Sequence, residues 1–428
     1  MKTLLSLSVA IFISFSAFEK PVLSPSTSLW INVVEVAESQ QTCDCKKDLA
    51  YINEQVQEMV SFKKQIKGEQ LKNYLRLYDD LYSSVTEETP IAECYLKLNT
   101  LISMVRDKHA RILHIKNPIT NEMLESDSAM ETFRTSEAFL NHPKTDQDIT
   151  KLSSKLAEKE YESIEGIYAY QDMLKIGIVK NGEIYQGVVL ESTSKNWLPG
   201  QIKYTLKPVA ENMYDVMTSD YPGGKMRILR ALLHYDGRIW HLKKDNDEEY
   251  THVGEDQNDW EFKQIDDYTQ YVYFGSFSNA DENVQAFEKF YETYKEAFTA
   301  KNIIVDLRDN AGGNSKYSDP FYKIIKKNKM NVFVVTNFFT GSNGEQFTLK
   351  LKGLKNAKHL GQRTYGALAY GSNYGKLLET PSGEFAIYPT DMNFHKFIDY
   401  EYVGVQPEMQ LDFDKDWIEQ TLDIIAQQ

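Results

Sequence analysis

The chain has 428 residues, which is enough for two or three domains of ordinary size. Its content of 42% hydrophobic and 12% aromatic residues allows buried cores and excludes a disordered or collagen-like protein. With 48 Lys and Arg residues against 62 Asp and Glu residues the formal net charge is −14, which argues against nucleic acid as a partner because phosphate binding requires a basic surface.

The N-terminus has the pattern of a secretory signal peptide. Lys2 forms a short basic region, the run from Leu4 to Phe15 is apolar and of secretory length, and small residues near Ala17 suit a signal peptidase. The run is short for crossing the roughly 30 Å of hydrocarbon in a bilayer. We therefore expect residues 1–16 to be a signal peptide, residues 17–44 to be a linker, and the mature chain to be exported to the periplasm or the extracellular space.

The cysteines suit an oxidising compartment. The chain contains three, Cys43, Cys45 and Cys94. Either of the first two could pair with Cys94, which would leave one thiol over. The Cys43–Cys45 stretch has no second pair of ligands nearby and does not predict a zinc site.

Helical spacing dominates the first part of the mature chain. Leu49, Ile52 and Val56 recur at intervals that place them on one helix face, and a similar pattern continues to Val105. We predict a helical N-terminal region over residues 45–140.

The periodicity then changes to that of strands. "MLKIGIVKNGEIYQGVVL" holds two apolar strands around Asn181 and Gly182, a strong hairpin pattern. "LLHYDGRIWHL" repeats the arrangement with Asp236 and Gly237. We predict a small antiparallel β domain over residues 160–255.

From residue 265 to residue 428 strands and helices alternate. "YVYFGSF", "NIIVDLR" and "NVFVVTN" read as buried strands, and "ENVQAFEKFYETYKEAFTAK" reads as an amphipathic helix. Such alternation predicts an α/β sheet covered by helices, with sites at the carboxyl ends of the strands. The predicted fold class is therefore multidomain, α+β and α/β.

Ser342 follows one of these strands, in "TGSNGEQF". A serine at a strand-to-helix turn lies beside unpaired N–H groups and the positive end of the helix dipole. The N–H of Asn343 is then a natural donor to an oxyanion, and Gly341 and Gly344 permit a tight backbone. The alternative is that Ser342 only caps the helix.

A second strand ends in "NIIVDLRDNAGGNS". Its paired glycines, Gly312 and Gly313, let a backbone N–H approach a ligand closely. No Lys-Ser or Lys-Thr follows in the place that a phosphate-binding loop requires. The alternative is an ordinary loop after a core strand.

Together these two stretches resemble the S41 serine peptidases, the clan of the tail-specific protease and the tricorn core protease. The family pattern is an apolar strand, Asp-Leu-Arg-x-Asn-x-Gly-Gly, and then a nucleophilic serine followed three residues later by an acid, as Ser342 and Glu345 are here. "HLGQRTYGALAYG" is similar to the segment that follows in the family. "EYVGVQPEMQL" is similar to the closing Glu-x-x-Gly-Val-x-Pro-Asp motif, with Glu408 where Asp is usual. The resemblance covers residues 265–428 and is closer to the tricorn-like branch.

The two branches of the family use different general bases. Tail-specific members use a lysine, but the matching place here reads Tyr365–Ala367, and Lys376 lies further along the chain. Tricorn-like members use a histidine that precedes the core. "LISMVRDKHARIL" resembles that stretch and nominates His109, although Lys108 stands where the tricorn pattern has serine. The chain has eight histidines: His109, His114, His142, His234, His241, His252, His359 and His395.

The resemblance implies a catalytic triad. Ser342 would be the nucleophile, His109 the general base, and Glu401 of the closing motif the group that orients the histidine. Glu345 is expected in the first turn of the helix, where a carboxylate favours the dipole.

The resemblance also implies an oxyanion hole. Asn343 and either Gly312 or Gly313 would donate backbone N–H groups to it. Asp306 and Arg308 are expected to be structural, positioning the glycine loop.

The implied function is an exported serine endopeptidase on a ClpP/crotonase-like α/β core, acting on polypeptide substrates through an acyl-enzyme. No metal and no organic cofactor is expected, and the oligomeric state stays open. One alternative is a non-catalytic ligand-binding protein on the same scaffold in the cell envelope. Another is a structural module of the envelope, for which replacing the serine would only remove a helix cap.

Overall fold

The structure is a computed structural model that describes residues 41–117, 119–120, 122–123, 126–244, 249–254, 257–372 and 375–428. The predicted signal peptide and most of the predicted linker lie outside the described residues. Within those ranges no helix is both long and apolar enough to span a bilayer. The fold is a mixture of helices and sheets, and the predicted combination of a helical N-terminal region with sheet domains is confirmed.

Helices dominate the beginning of the described chain. They span Cys45–Glu58, Val60–Gln65, Glu69–Ser83, Ile91–Ile102, Asp127–Arg134, Glu137–Leu140 and Ile149–Ala157. The strands of this part are β1 (Thr42–Cys43), β2 (Thr89–Pro90) and β3 (Arg111–His114). Leu49, Ile52 and Val56 are each fully buried, so the helical spacing of these residues marks the face that packs into the core.

A disulfide resolves the alternatives for the cysteines. Cys45 is bonded to Cys94, which joins the first long helix to the helix Ile91–Ile102. Cys43 is a buried free thiol. Burial, together with the charge of nearby Asp48, raises the pKa of this thiol to about 12. Because the thiolate is the reactive form, the raised pKa disfavours reaction of Cys43 at neutral pH.

A closed antiparallel barrel occupies the middle of the chain. Its strands are β4 (Gly166–Tyr170), β5 (Leu174–Asn181), β6 (Ile184–Ser192), β7 (Ile202–Ala210), β8 (Met213–Ser219), β9 (Met226–Tyr235), β10 (Arg238–Ile239) and β11 (Leu242–Lys243). Neighbours in sequence pair with each other, and β11 pairs with β4 to close the barrel. Closure leaves no free strand edge within the barrel.

Two glycine-containing turns set the register of the barrel. Asp236 and Gly237 both have positive φ angles, 44° and 63°, as a two-residue hairpin turn of the primed type requires. Gly182, at φ 61°, begins the turn between β5 and β6, because Asn181 still pairs with Ile184.

The C-terminal part is built on a six-stranded sheet. Its strands are β12 (Trp260–Gln264), β13 (Thr269–Phe274), β14 (Asn302–Asp306), β15 (Asn331–Thr336), β16 (Ala357–Gly361) and, after four short strands, β21 (Met409–Gln410). The pair β12 and β13 is antiparallel, and the other neighbours are parallel. The helices of this part are Asp281–Tyr294, Ser315–Asn328, Asn343–Lys352 and Trp417–Ala426.

Both faces of this sheet are covered, which explains its nearly continuous apolar strands. Val305 points into a cluster that contains Phe321 and Phe347 of two helices. Its neighbour Ile304 points to the other face, where Trp417 of the last helix packs. The alternation follows the period of two along a strand.

The N-terminal region and the core share a small sheet. The four short strands are β17 (Tyr370–Gly371), β18 (Leu378–Glu379), β19 (Phe385–Tyr388) and β20 (Met392–Asn393), followed by a 3₁₀ helix, His395–Tyr400. β3 pairs with β19, and Ile112 lies opposite Ile387. This pairing fixes the residues just before β3 against the core, although they are far from it in sequence.

Candidate active site

Ser342 has a strained backbone that an ordinary helix cap does not need. Its φ and ψ angles are 49° and −117°, in a region that non-glycine residues rarely occupy. Ser342 does form a capping box with Glu345. Ser126 and Ser136, which cap two other helices, have an extended backbone, and their side chains accept N–H groups of the following turn. The conformation of Ser342 is that of a sharp strand-to-helix turn that presents its hydroxyl, as serine nucleophiles do.

Glu345 holds this turn in place. Its carboxylate is fully buried. Oε2 accepts the N–H groups of Ser342 at 3.0 Å and Ala367 at 2.8 Å. Oε1 accepts the hydroxyl of Thr364 at 2.5 Å and the N–H of Gly366 at 2.7 Å. Burial raises the pKa of Glu345, and these donors act against that rise. Glu345 lies in the first helical turn, as expected, but it faces inward and anchors the loop after β16.

His109 lies beside Ser342, from which it is 233 residues away in sequence. Its Nε2 is 3.2 Å from Ser342 Oγ. The backbone at His109 is fixed by Asp107, whose Oδ1 accepts the N–H groups of His109 and Ala110, both at 3.2 Å. Burial lowers the pKa of His109, and the charges of Arg111 and Lys108 act in the same direction, against that of Asp107. A neutral imidazole at this distance can accept the hydroxyl proton.

Glu401 lies near His109 but bonds to the backbone around it. Its fully buried carboxylate accepts the N–H of Lys108 at 2.6 Å and those of Leu368 and Ala369 at 3.0 and 2.8 Å. One carboxylate oxygen each of Asp107 and Glu401 and a ring nitrogen of His109 lie within 4.8 Å of one another.

The imidazole itself is not hydrogen-bonded to Glu401. Nδ1 of His109 is buried and has no hydrogen-bond partner within the described part of the chain. Burial raises the pKa of Glu401 to about 8, the charge of Asp107 acts in the same direction, and the three amides oppose both. A positive charge on the neighbouring imidazole would favour the ionised form of Glu401.

The glycine loop after β14 packs directly against Ser342. A Cβ atom on Gly312 would lie 2.6 Å from Cβ of Ser342 and 2.7 Å from the backbone nitrogen of Asn343. Gly312 and Gly313 have φ angles of 97° and 135°, which side chains disfavour. The two predicted strand ends therefore meet at one edge of the sheet.

The N–H groups of this edge differ in their partners. Gly312 donates its N–H to Asn310 Oδ1 at 2.8 Å. The N–H of Gly313 makes no hydrogen bond to a described residue. Asn343 is the first residue of its helix, where the N–H has no intrahelical partner. The N–H groups of Asn343 and Gly313 therefore stay without a partner among the described residues.

Lys108 is partly buried beside the site, a feature that the sequence did not indicate. Its Nζ donates to the carbonyl oxygens of Tyr365 at 2.8 Å and Ala231 at 3.4 Å, and lies 3.5 Å from the ring centroid of Tyr365. Burial lowers its pKa to about 7, and the charge of Arg363 contributes. Because Ala231 belongs to β9, Lys108 ties the barrel to the active-site loops. The only sequence signal was its unusual position before the candidate histidine.

The remaining predicted residues lie as follows. Lys376, the alternative base, is exposed on the surface. His114 is in β3, where its Nδ1 accepts the N–H of Met226. Arg308 forms an ion pair with the fully buried Asp306 at 2.6 Å and donates to Tyr250 O, so this pair braces the start of the glycine loop.

No protein-family model matches the chain, and no curated protein matches it. Among solved structures it is similar to mature CPAF, with 10% identity over 89% of this chain and 96% of that one and a TM-score of 0.43. It is also similar to the tricorn protease, with 13% identity over 90% of this chain and 37% of that one and a TM-score of 0.41. It is similar as well to the photosystem II D1 C-terminal processing protease, with 14% identity over 89% of this chain and 97% of that one and a TM-score of 0.39.

Proposed function

We propose that the chain is an exported serine peptidase that cleaves polypeptides through an acyl-enzyme on Ser342. The observation that carries the proposal is the contact of 3.2 Å between His109 Nε2 and the hydroxyl of a strained, partly exposed serine. A structural cap would need neither the strain nor the imidazole.

The reaction follows from the positions of these groups. His109 accepts the proton of Ser342 Oγ while that oxygen attacks the carbonyl carbon of a peptide bond. The N–H groups of Asn343 and Gly313 donate to the oxyanion that forms. The imidazolium then gives its proton to the leaving amine, and the C–N bond breaks. A water molecule attacks the ester by the same steps, which releases the acid and restores the serine.

Glu401 supports the base in two ways in this proposal. Its bond to the N–H of Lys108 fixes the backbone that carries His109. Its ionised form, favoured once the imidazole is charged, stabilises that charge across less than 5 Å without direct hydrogen bonding to the ring.

Export to the periplasm or the cell exterior is part of the proposal. The N-terminal pattern supports it, and so does the disulfide between Cys45 and Cys94, since structural disulfides persist in oxidising compartments. We also propose that the sheet of residues 260–410 is a core of the ClpP/crotonase-like kind.

The test uses the mature chain, a fluorescently labelled unfolded protein such as casein, and a fluorophosphonate probe for acylated serine. We expect casein cleavage, and labelling at Ser342 that is absent in Ser342→Ala. In His109→Gln the labelling rate should fall at least about 100-fold, the smallest usual contribution of a general base.

Ser136→Ala is the matched control, because Ser136 caps a helix with its side chain from an extended backbone. It should cleave and label like the parent. If the folded parent neither cleaves casein nor labels at Ser342, or if His109→Gln labels as fast as the parent, the proposed mechanism is wrong.

A further inference from the structure

A cavity of about 930 Å³ lies apart from the proposed active site. Side chains of β6, β7 and β8 form one wall, and residues 132–143 and parts of the N-terminal region form the others. Ser342, His109 and Glu401 do not line it. Its volume is in the range of cavities that hold small organic ligands.

Lys203 of β7 lines this cavity and has no carboxylate partner among the residues that the structure describes. It is 8% exposed. Its Nζ makes one hydrogen bond, to the carbonyl oxygen of Ser219 at 3.2 Å, and lies 4.3 Å from the ring centroid of Trp197. The described residues contain no ion pair to it. The charge of Asp220 favours the ammonium and that of Arg227 opposes it, and these two side chains pair with each other at 3.0 Å.

A second buried lysine shows the usual arrangement. Lys97 is 3% exposed, and its Nζ pairs with Glu93 at 3.1 Å and donates to Ser84 Oγ at 2.7 Å. Burial without such a partner disfavours the charged form. For Lys203 it lowers the pKa to about 8, so the amine is still mostly charged at neutral pH.

The other walls are mixed, with apolar side chains beside polar ones and the carboxylate of Glu137. Phe133, Ile184, Ile202 and Met217 line the cavity. The imidazole of His142 also lines it, with Nε2 at 2.9 Å from Ile202 O. Burial lowers the pKa of this histidine to about 4, so the ring is neutral.

Lys116 also lines the cavity and is paired with Glu384. The cavity therefore combines an ammonium group that forms no ion pair with a described residue and a wall with several apolar side chains. We propose that it binds an organic monoanion, a carboxylate on an extended apolar body, with the carboxylate on Lys203 Nζ and the apolar body against Met217 and its neighbours. The ammonium has two N–H groups left for the carboxylate after its bond to Ser219, and the ligand would supply the missing counter-charge.

The test titrates the folded mature chain with three probes by calorimetry: dodecanoate, dodecanol and acetate. Dodecanoate has both required features, dodecanol lacks the charge, and acetate lacks the apolar body. We expect dodecanoate to bind with one-to-one stoichiometry and at least about tenfold more tightly than either of the others.

Lys203→Met keeps the length of the side chain and removes its charge. It should weaken dodecanoate binding at least about tenfold and leave dodecanol binding unchanged. Lys175→Met is the matched control, because Lys175 lies on the same barrel, is exposed and pairs with Glu191. It should bind dodecanoate like the parent, and so should Ser342→Ala, which separates this proposal from the proposed peptidase activity.

Met217→Trp fills the cavity without touching the charge and gives a second variant in case Lys203→Met does not fold. It should abolish dodecanoate binding. The proposal is wrong if dodecanoate does not bind stoichiometrically, if it binds no more tightly than dodecanol, or if a folded Lys203→Met or Met217→Trp variant binds it like the parent.

Discussion

Replacing Glu345 with glutamine distinguishes a structural anchor of the active-site turn from a favourable charge at a helix start. The fully buried carboxylate accepts four hydrogen bonds. They come from the N–H groups of Ser342, Gly366 and Ala367 and from the hydroxyl of Thr364. A glutamine keeps one acceptor oxygen and places an NH₂ group against two of the donors.

The magnitude follows from the donors that lose their acceptor. Each buried donor left without one costs about 1–3 kcal/mol. The Thr364 hydroxyl already accepts the N–H of Val405 at 2.7 Å, so it cannot turn freely to receive the new NH₂ group. We therefore expect Glu345→Gln to lower the free energy of unfolding by about 2–5 kcal/mol. Labelling of Ser342 should slow as well, because its N–H is one of the four donors.

Urea unfolding followed by circular dichroism measures this change, with the slope of the transition as a check on two-state behaviour. The matched control is Glu419→Gln. Glu419 is the third residue of its helix, as Glu345 is, but it is exposed. A charge–dipole effect alone is worth about 0.3–1 kcal/mol at either position. Equal losses in the two variants, or a loss below about 1 kcal/mol in Glu345→Gln, would refute the reasoning.

Three further predictions concern the base, the disulfide and the glycine loop. Because the pKa of His109 is lowered, the acid limb of the pH profile of kcat/KM should have its midpoint below pH 6.5. Asp107→Asn removes a charge that raises this pKa, so it should move the midpoint lower still. An unchanged midpoint in the variant contradicts this. Replacing Cys45 and Cys94 with serine removes a disulfide between residues 49 positions apart and should lower the free energy of unfolding in urea by roughly 4 kcal/mol. An unchanged free energy of unfolding would show that the disulfide is dispensable. Gly313→Ala would place a methyl group 1.8 Å from the carbonyl oxygen of Phe277, so the glycine loop would have to shift. A folded variant should therefore lose most of the probe labelling at Ser342. Labelling like that of the parent would exclude this loop from the site.

The sequence could place the candidate nucleophile, Ser342, and the glycine loop because both depend on local patterns. Val305 and Val334 belong to adjacent parallel strands, and each strand is an unbroken apolar run. Parallel strands end at one edge of a sheet, so the loops that follow them had to meet. The separation of 2.6 Å between a Cβ on Gly312 and Ser342 is the result of that geometry.

The closure of the barrel, by contrast, could not be predicted from local patterns. Alternating strands and two hairpin turns predicted an antiparallel domain, and both properties follow from neighbours in sequence. Closure depends on β11, a strand of two residues whose Leu242 pairs with Tyr170 near the start of the domain. A strand that short carries no recognisable period, so the pairing across more than 70 residues had no local pattern to predict it.

His109, Glu345 and Lys108 depend on long-range contacts in the same way. His109 was nominated only through a family resemblance, since a single histidine in a helical region has no distinguishing pattern. Glu345 is buried against Thr364, Gly366 and Ala367, which donate hydrogen bonds to its carboxylate. These residues belong to a stretch without regular secondary structure. The sequence gives the chemical type of these three residues, His109, Glu345 and Lys108. It does not show which neighbours surround them in the fold, and those neighbours determine their charge.

Glu401 shows why a role carried over from a motif must be examined contact by contact. As the glutamate of the closing motif it was expected to orient the imidazole. In the structure its oxygens are occupied by the N–H groups of Lys108, Leu368 and Ala369, and His109 Nδ1 stays unbonded among the described residues. The carboxylate therefore joins the segment that carries His109 to the loop that Glu345 anchors beneath Ser342. Through these two buried carboxylates the loop after β16 fixes both the serine and the histidine, and their distance depends on backbone hydrogen bonds more than on any bond between Glu401 and the imidazole.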